Sequence, residues 1–275
     1  MARKETYRAK FEQRLADETG NPLPERVRQK KPPLHPSIQQ TFLEGQAILI
    51  DKPMHWTSFD IVRKLRSTLQ IKKIGHAGTL DPLATGLLIV CTGKFTKKIN
   101  EYMASEKEYT GEITLGAVTP TYDLESTPED FKSFENITET AIYNAVEQFL
   151  GTIDQYPPIY SAIKKDGVAL YELARRGEAV DLKARTITIH QFEITQIDLP
   201  KIQFKVVCST GTYIRSLAHD FGKALGCGGY LSALRRTRIG DFSVSDAQLP
   251  ENFMQQIDEA HAAMEPSKTD NLSQL

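Results

Sequence analysis

The chain has 275 residues, of which 40% are hydrophobic and 25% charged, and its 34 Lys and Arg nearly balance 35 Asp and Glu for a net charge of −1. That composition excludes a fibrous or wholly disordered protein, and the longest apolar stretch, residues 86–91, falls far below the ~20 residues a membrane-spanning helix needs. Three cysteines, Cys91, Cys208 and Cys227, show neither C-x-x-C spacing nor a nearby histidine pair at zinc-ligand spacing, so neither a disulfide framework nor a structural metal is expected and a reducing cytoplasm is.

In chain order, residues 1–45 are polar, rich in Arg and Lys, and interrupted by Pro22, Pro24, Pro32, Pro33 and Pro36. They are expected to form a largely disordered extension with room for a short helix over 5–16. No apolar h-region marks a secretory signal, and Glu5, Glu12, Asp17 and Glu18 argue against a mitochondrial transit peptide. Ordered structure is expected from residue 46: a strand over 46–50, the turn Asp51-Lys52-Pro53, and a helix capped by Thr57 or Ser58. The apolar stripe of that helix, Ile61, Leu65 and Leu69, leaves Arg63, Lys64 and Arg66 towards solvent or a ligand.

Residues 75–86 read as a loop, 87–92 as a strand and 95–103 as a helix. Over 107–115, Tyr109, Gly111, Ile113 and Leu115 alternate with Glu108, Thr110, Glu112 and Thr114, the pattern of a half-buried strand. An acidic loop, a helix over 138–150, the turn Tyr156-Pro157-Pro158 and a short helix over 170–176 follow. Strands are expected over 186–197, 202–208 and 230–236, with a helix over 211–225 capped by Thr210 or Thr212 and ended at Gly226. Without βαβ alternation or an internal repeat, the class is α+β with a bent mixed or antiparallel sheet flanked by helices.

The segment Gly75-His76-Ala77-Gly78-Thr79-Leu80-Asp81-Pro82-Leu83-Ala84-Thr85-Gly86 carries the most information. Its three glycines permit positive φ and close backbone approach, as a loop folded against a ligand requires, and Asp81 stands between Leu80 and Pro82, neighbours that offer little water. A phosphate loop is excluded here, because no Lys follows Gly78, and again at Gly93-Lys94, where Leu88 and Phe95 occupy the required Gly and Ser or Thr positions. Basic residues cluster at Arg63 to Lys73, at Lys94, Lys97 and Lys98, at Arg175 and Arg176, and at Arg235, Arg236 and Arg238. Several clusters flanking one motif suit phosphate contacts better than any one does alone.

Asp51-Lys52-Pro53, the run from Gly75 to Leu88, Glu106-Lys107-Glu108-Tyr109, Tyr160-Ser161-Ala162-Ile163-Lys164, the run from Cys208 to Ser216, and Leu234-Arg235-Arg236 together resemble the successive motifs of the TruB pseudouridine synthases. The resemblance spans about residues 45–242. It implies a cofactor-independent isomerase acting on RNA, in the bacterial case on U55 in the T loop of tRNA. Asp81 then corresponds to the catalytic carboxylate, as nucleophile or as base, and Arg215 to the arginine that keeps such a carboxylate charged. Tyr109 corresponds to the tyrosine that stacks on the target base and handles the C5 proton. Tyr213 corresponds to a second pocket tyrosine, Leu234 to an apolar wall, and His76 to the residue filling the place of the flipped base. Lys52 either supports the pocket or contacts phosphate. Stacking is worth about 1–3 kcal/mol per base, which offsets much of the cost of flipping a nucleotide.

The same resemblance divides the chain into the extension, a catalytic domain over 46–248 with an RNA-gripping insertion at 155–180, and a helical, polar tail over 249–275 that is too short for the C-terminal PUA barrel of many relatives. It implies tRNA, gripped at its T stem and loop, as partner, with no membrane, metal, organic cofactor or obligatory protein partner. Two alternatives stay open: a pseudouridine synthase for another RNA, and a tRNA-folding chaperone.

Overall fold

The computed structural model describes residues 32–160, 164–165, 168–169 and 182–265. The elements begin with α1 (Pro36–Glu44), β1 (Ala47–Lys52), α2 (Ser58–Leu69), β2 (Ile74–Ala77), β3 (Thr85–Thr92), a 3-10 segment (Gly93–Lys98), α3 (Ile99–Ala104) and β4 (Lys107–Leu115). They continue with α4 (Glu139–Glu147), β5 (Gly151–Gln155), the two-residue strands β6 (Lys164–Lys165) and β7 (Val168–Ala169), and the long hairpin β8 (Arg185–Asp198) and β9 (Lys201–Cys208). Last come α5 (Ile214–Ala224), β10 (Gly229–Ile239), β11 (Phe242–Ser243) and α6 (Pro250–Met264). The fold is α+β. It divides into two units: the described residues up to Met103 together with those from Phe242, and the contiguous span Ala104–Asp241.

In the first unit β3 pairs antiparallel with both β1 and β2, so that Val90 lies opposite Ile48 in one ladder and His76 in the other. A parallel bridge joins Ile50 to Gln248. Thr57, one of the two caps the sequence suggested, caps helix α2, and it does so through a capping box. The Asp60 amide donates to Thr57 Oγ1 at 2.9 Å and the Thr57 amide donates back to Asp60 Oδ2 at 3.2 Å, which satisfies two of the helix's unpaired donors. Ile61, Val62, Leu65 and Leu69 face the core, and Gln70 ends the helix in the left-handed region.

Residues 36–44 correct the expectation of a disordered extension up to residue 45. Pro36 stands at the start of α1, where its missing amide and fixed φ favour a helix, although in the sequence it counted as one breaker among five. Leu34, Ile38 and Phe42 are buried in one cluster with Phe253 and Ile257 of α6, the rings of Phe42 and Phe253 meeting edge to face at 6.0 Å. Each such side chain contributes about 1.5–3 kcal/mol through burial, enough to order a short amphipathic segment. The helix considered for residues 5–16, like that for 170–176, lies outside the described residues.

In the second unit the strands run in the order β10-β4-β9-β8-β5, paired antiparallel. Phe192 of β8 packs on Phe204 of β9 and Phe221 of α5 at 5.9 and 5.5 Å between centroids. Helix α5 lies close against β10: a Cβ at Gly222 would stand 2.2 Å from the Gly229 amide nitrogen. The helix begins at Ile214, later than expected, and neither threonine caps it. Tyr213 is the N-cap residue and makes no side-chain cap, while Thr212 Oγ1 donates instead to the Ser209 carbonyl at 2.9 Å.

Candidate functional site

The sequence-predicted residues fall in both units: Lys52, His76 and Asp81 in the first, Tyr109, Tyr213, Arg215 and Leu234 in the second. In the first, residues expected to form one long loop divide. Gly75 and His76 belong to β2, drawn into the sheet by pairing with β3, and the loop proper runs over 78–84. Gly78 and Gly86 take φ of 91° and 101°, positive as expected. Gly75 does not, and its small size serves close packing instead, since a Cβ there would meet Ile99 Cδ1 at 2.9 Å. His76 is half-buried.

The backbone is tied on both sides of Asp81. Before it, buried Ser58 accepts from the Leu80 amide at 2.9 Å and its hydroxyl lies 3.2 Å from the Leu80 carbonyl, to which it donates. Across it, the Ala84 amide donates to the Asp81 carbonyl at 3.1 Å, closing a turn. After it, the Pro82 carbonyl accepts from the His55 amide at 2.8 Å and from Lys52 Nζ at 3.4 Å. Lys52 is fully buried, and its ammonium also donates to the carbonyls of Trp56 at 2.7 Å and Pro53 at 3.1 Å. These bonds turn the Lys52 ammonium towards the backbone of the loop. His55, with φ +65°, belongs to the same set of contacts, and burial followed by the Lys52 charge holds its imidazole below the usual pKa. The half-buried Asp81 carboxylate is thus carried on a rigid turn.

In the second unit Tyr109 is buried near the start of β4, opposite Arg236 of β10 and Val206 of β9. Leu234 lies opposite Gly111, between register shifts at Leu231/Ala233 and Arg236/Arg238. Such bulges re-aim the side chains between them. Arg215, in the first turn of α5, is only 5% exposed. Its Nη1 donates to the Thr121 carbonyl and its Nη2 to the Tyr160 carbonyl, both at 3.0 Å, while Nε stands 3.7 Å from Asp123 Oδ2. Asp123 is itself organised: its Oδ1 accepts from Thr121 Oγ1 at 2.7 Å and from the Glu125 amide at 2.9 Å. Tyr213 is fixed through its backbone, since buried Gln155 accepts from its amide at 2.8 Å and donates to its carbonyl at 3.1 Å.

Asp123 and Gln155 went unrecognised in the sequence. Asp123 read as one of a run of acidic loop residues, and Gln155 only as the first residue of the proposed insertion. The basic clusters also sort differently from expectation. Arg236 is buried and Arg238 pairs with Glu106 at 2.7 Å, whereas Lys64, Lys72, Lys73, Lys94 and Lys97 are exposed. Arg175, Arg176 and most of the proposed insertion lie outside the described residues.

A family model described as TruB family pseudouridylate synthase (N terminal domain) matches residues 66–214, and one described as tRNA pseudouridylate synthase B C-terminal domain matches residues 215–275. The chain is 59% identical over 215 residues to tRNA pseudouridine synthase B of Flavobacterium johnsoniae, covering 76% of this chain and 94% of that protein. It is 48% identical over 224 residues to the protein of the same name from Phocaeicola vulgatus, covering 79% and 95%. Among solved structures, a Cbf5-Nop10-Gar1 complex matches with a TM-score of 0.62 at 28% identity, over 84% of this chain and 63% of that one. An H/ACA RNP bound to a substrate RNA containing 2'-deoxyuridine matches with a TM-score of 0.62 at 26% identity, over 83% and 58%. The chain therefore spans less than two thirds of each of those two chains.

Proposed function

Because the chain belongs to the TruB family of pseudouridylate synthases, we propose that it isomerises U55 in the T loop of tRNA to pseudouridine, gripping the T stem and loop. The observation that carries this reading is the Asp81 turn, a half-buried carboxylate whose backbone is tied before, across and after it. Such rigidity suits a group that must meet one sugar carbon of a flipped nucleotide, because misplacement by about 1 Å can cost about a hundredfold in rate.

In the reaction the glycosidic bond from C1' to N1 breaks, uracil turns within the pocket, and a bond from C1' to C5 forms. C5 loses a proton and N1 gains one, so no electrons enter or leave. Asp81 acts at the sugar, as nucleophile or base. Tyr109 offers a ring face to the base and a hydroxyl for the C5 proton, and Arg215 supplies positive charge to the site. Tyr213 and Leu234 are assigned contacts with the nucleotide, and His76 the place the base leaves. The exposed lysines Lys64, Lys72, Lys73, Lys94 and Lys97 suit phosphate. Among the described residues no helix is long and apolar enough to cross a membrane, and we assign the cytoplasm as the place of action.

The test is tritium release from tRNA transcripts carrying [5-³H]uridine. Asp81→Asn, which keeps shape but is neither nucleophile nor base, is expected to bind tRNA normally and to lose turnover by several orders of magnitude. Activity above a tenth of the unsubstituted protein overturns the assignment of Asp81. Undiminished release from a transcript with cytidine at position 55 overturns the assignment of the target. An isolated T-arm stem-loop is expected to react within about tenfold of intact tRNA, a difference of roughly 1.4 kcal/mol.

A further inference from the structure

Around Arg215 the loop over residues 119–126 is organised in an unusual way. Thr121 presents its carbonyl to Arg215 and Asp123 its carboxylate, but Tyr122 between them is held at φ +63°, a left-handed conformation that a bulky residue adopts only when its surroundings impose it. Three contacts impose it. The Tyr122 amide donates to the Thr119 carbonyl at 3.1 Å, its carbonyl accepts from the Leu231 amide of β10 at 3.0 Å, and its ring stacks on His219 with centroids 3.9 Å apart and planes 14° from parallel. His219 lies one turn along α5 from Arg215, on the same face of the helix. Its Nδ1 is buried without a hydrogen-bond partner among the described residues, so stacking against Tyr122 is the contact that orients this ring.

We infer that the Tyr122–His219 stack is a positioning device for Arg215. The loop straddles α5 at two points, and the stack fixes the backbone twist that keeps Thr121 and Asp123 both turned towards the guanidinium. Without the stacked ring, Tyr122 gains by relaxing to a right-handed or extended backbone, and that rotation swings the two groups apart. Neither residue is placed to touch RNA by this argument; both act through Arg215. The inference rests on the assignment of Arg215 to the site proposed above.

Single-turnover rates at saturating tRNA and separate binding measurements test it with four variants. His219→Ala removes the stack while favouring the helix, and Tyr122→Ala removes it with a residue that, like tyrosine, is strained in the left-handed backbone. Both are expected to slow the single-turnover step by about tenfold or more while Kd for tRNA stays within about twofold. Tyr122→Phe, which keeps the ring, is expected to react at close to the unsubstituted rate, a result that a role for the tyrosine hydroxyl would not give. Arg215→Lys reports on the underlying assignment. An unimpaired Arg215→Lys overturns that assignment and the inference with it. A slow Arg215→Lys beside an unimpaired His219→Ala and Tyr122→Ala overturns the inference alone, as does a loss confined to tRNA binding. Should His219→Ala fail to fold, Tyr122→Ala and Tyr122→Phe decide the matter.

Discussion

Replacing Lys52 with methionine keeps the bulk of the buried side chain and removes the ammonium that links the carbonyls of Pro53, Trp56 and Pro82. Pro82 retains the His55 amide as a donor, and the Pro53 contact is only partly buried, so the loss concentrates on the Trp56 carbonyl, whose 2.7 Å bond to Lys52 is buried. A hydrogen bond from a charged group is worth about 1.5–3 kcal/mol and a stranded buried carbonyl costs about 1–3 kcal/mol, while relief of the buried charge returns part of this. The net expectation is a loss of about 2–4 kcal/mol, or a fall in Tm of roughly 5–10 °C for a chain of this size. Because one anchor of the Asp81 turn goes with it, the single-turnover rate should fall while tRNA affinity holds. Thermal unfolding followed by circular dichroism and the slope of log Kd against log salt together form the assay. If Lys52 instead met a phosphate, Tm would stay within about 2 °C and the salt slope would shrink by roughly 0.7–0.9, and that pair of results would refute the reasoning.

Three further substitutions probe the supports of the site. Ser58→Ala strands the buried Leu80 amide, so about 1–3 kcal/mol of stability should vanish from denaturant unfolding, together with part of kcat; an unchanged kcat would detach Ser58 from the Asp81 turn. Gly222→Ala drives a methyl group towards the Gly229 backbone, and the resulting overpacking should cost about 1–3 kcal/mol and slow catalysis through α5, whereas a melt like that of the unsubstituted protein would mean the contact is loose. Burial, reinforced by the Arg236 charge and opposed by Cys208, pushes the Lys107 ammonium down from 10.5 to about 8. Between those values the unfolded chain binds more protons than the folded one, so this group makes stability rise with pH across that window. The unfolding free energy of the unsubstituted protein should accordingly gain on that of Lys107→Met between pH 7 and 10, and a constant difference would sink the idea.

What the sequence disclosed about the fold was local. The cap at Thr57, one of two offered, the alternation from Lys107 to Leu115 and the glycines at 78 and 86 each follow from residues a few positions apart, and the structure has them where expected. Asp123 escaped notice because its meaning comes from Arg215, as the contact of neighbouring Thr121 with that arginine crosses 94 positions, and no local period reports such a pairing. Helix α1 was missed for a related reason. A proline-studded polar stretch has no cause to fold alone, and the apolar face of α6 that stabilises it lies at the other end of the chain. Lys52 was recognised by its motif, but its burial and its bonds to the loop carbonyls are seen only in the structure.

That pairing of α1 with α6 constrains the order in which the protein can be made. The first unit draws its core from residues before Met103 and after Phe242, with Phe253 and Ile257 filling places beside Ile38 and Phe42. The second unit is one uninterrupted span of chain. During translation, which proceeds from the N-terminus at about 5–20 residues per second, the segment bearing Asp81 is synthesised early but waits, with its apolar face incomplete, until α6 leaves the ribosome. The span bearing Tyr109 and Arg215 is free to fold in the meantime. A truncated product ending after β10 would therefore carry every residue assigned to the chemistry and still lack the helix that closes the core of the first unit.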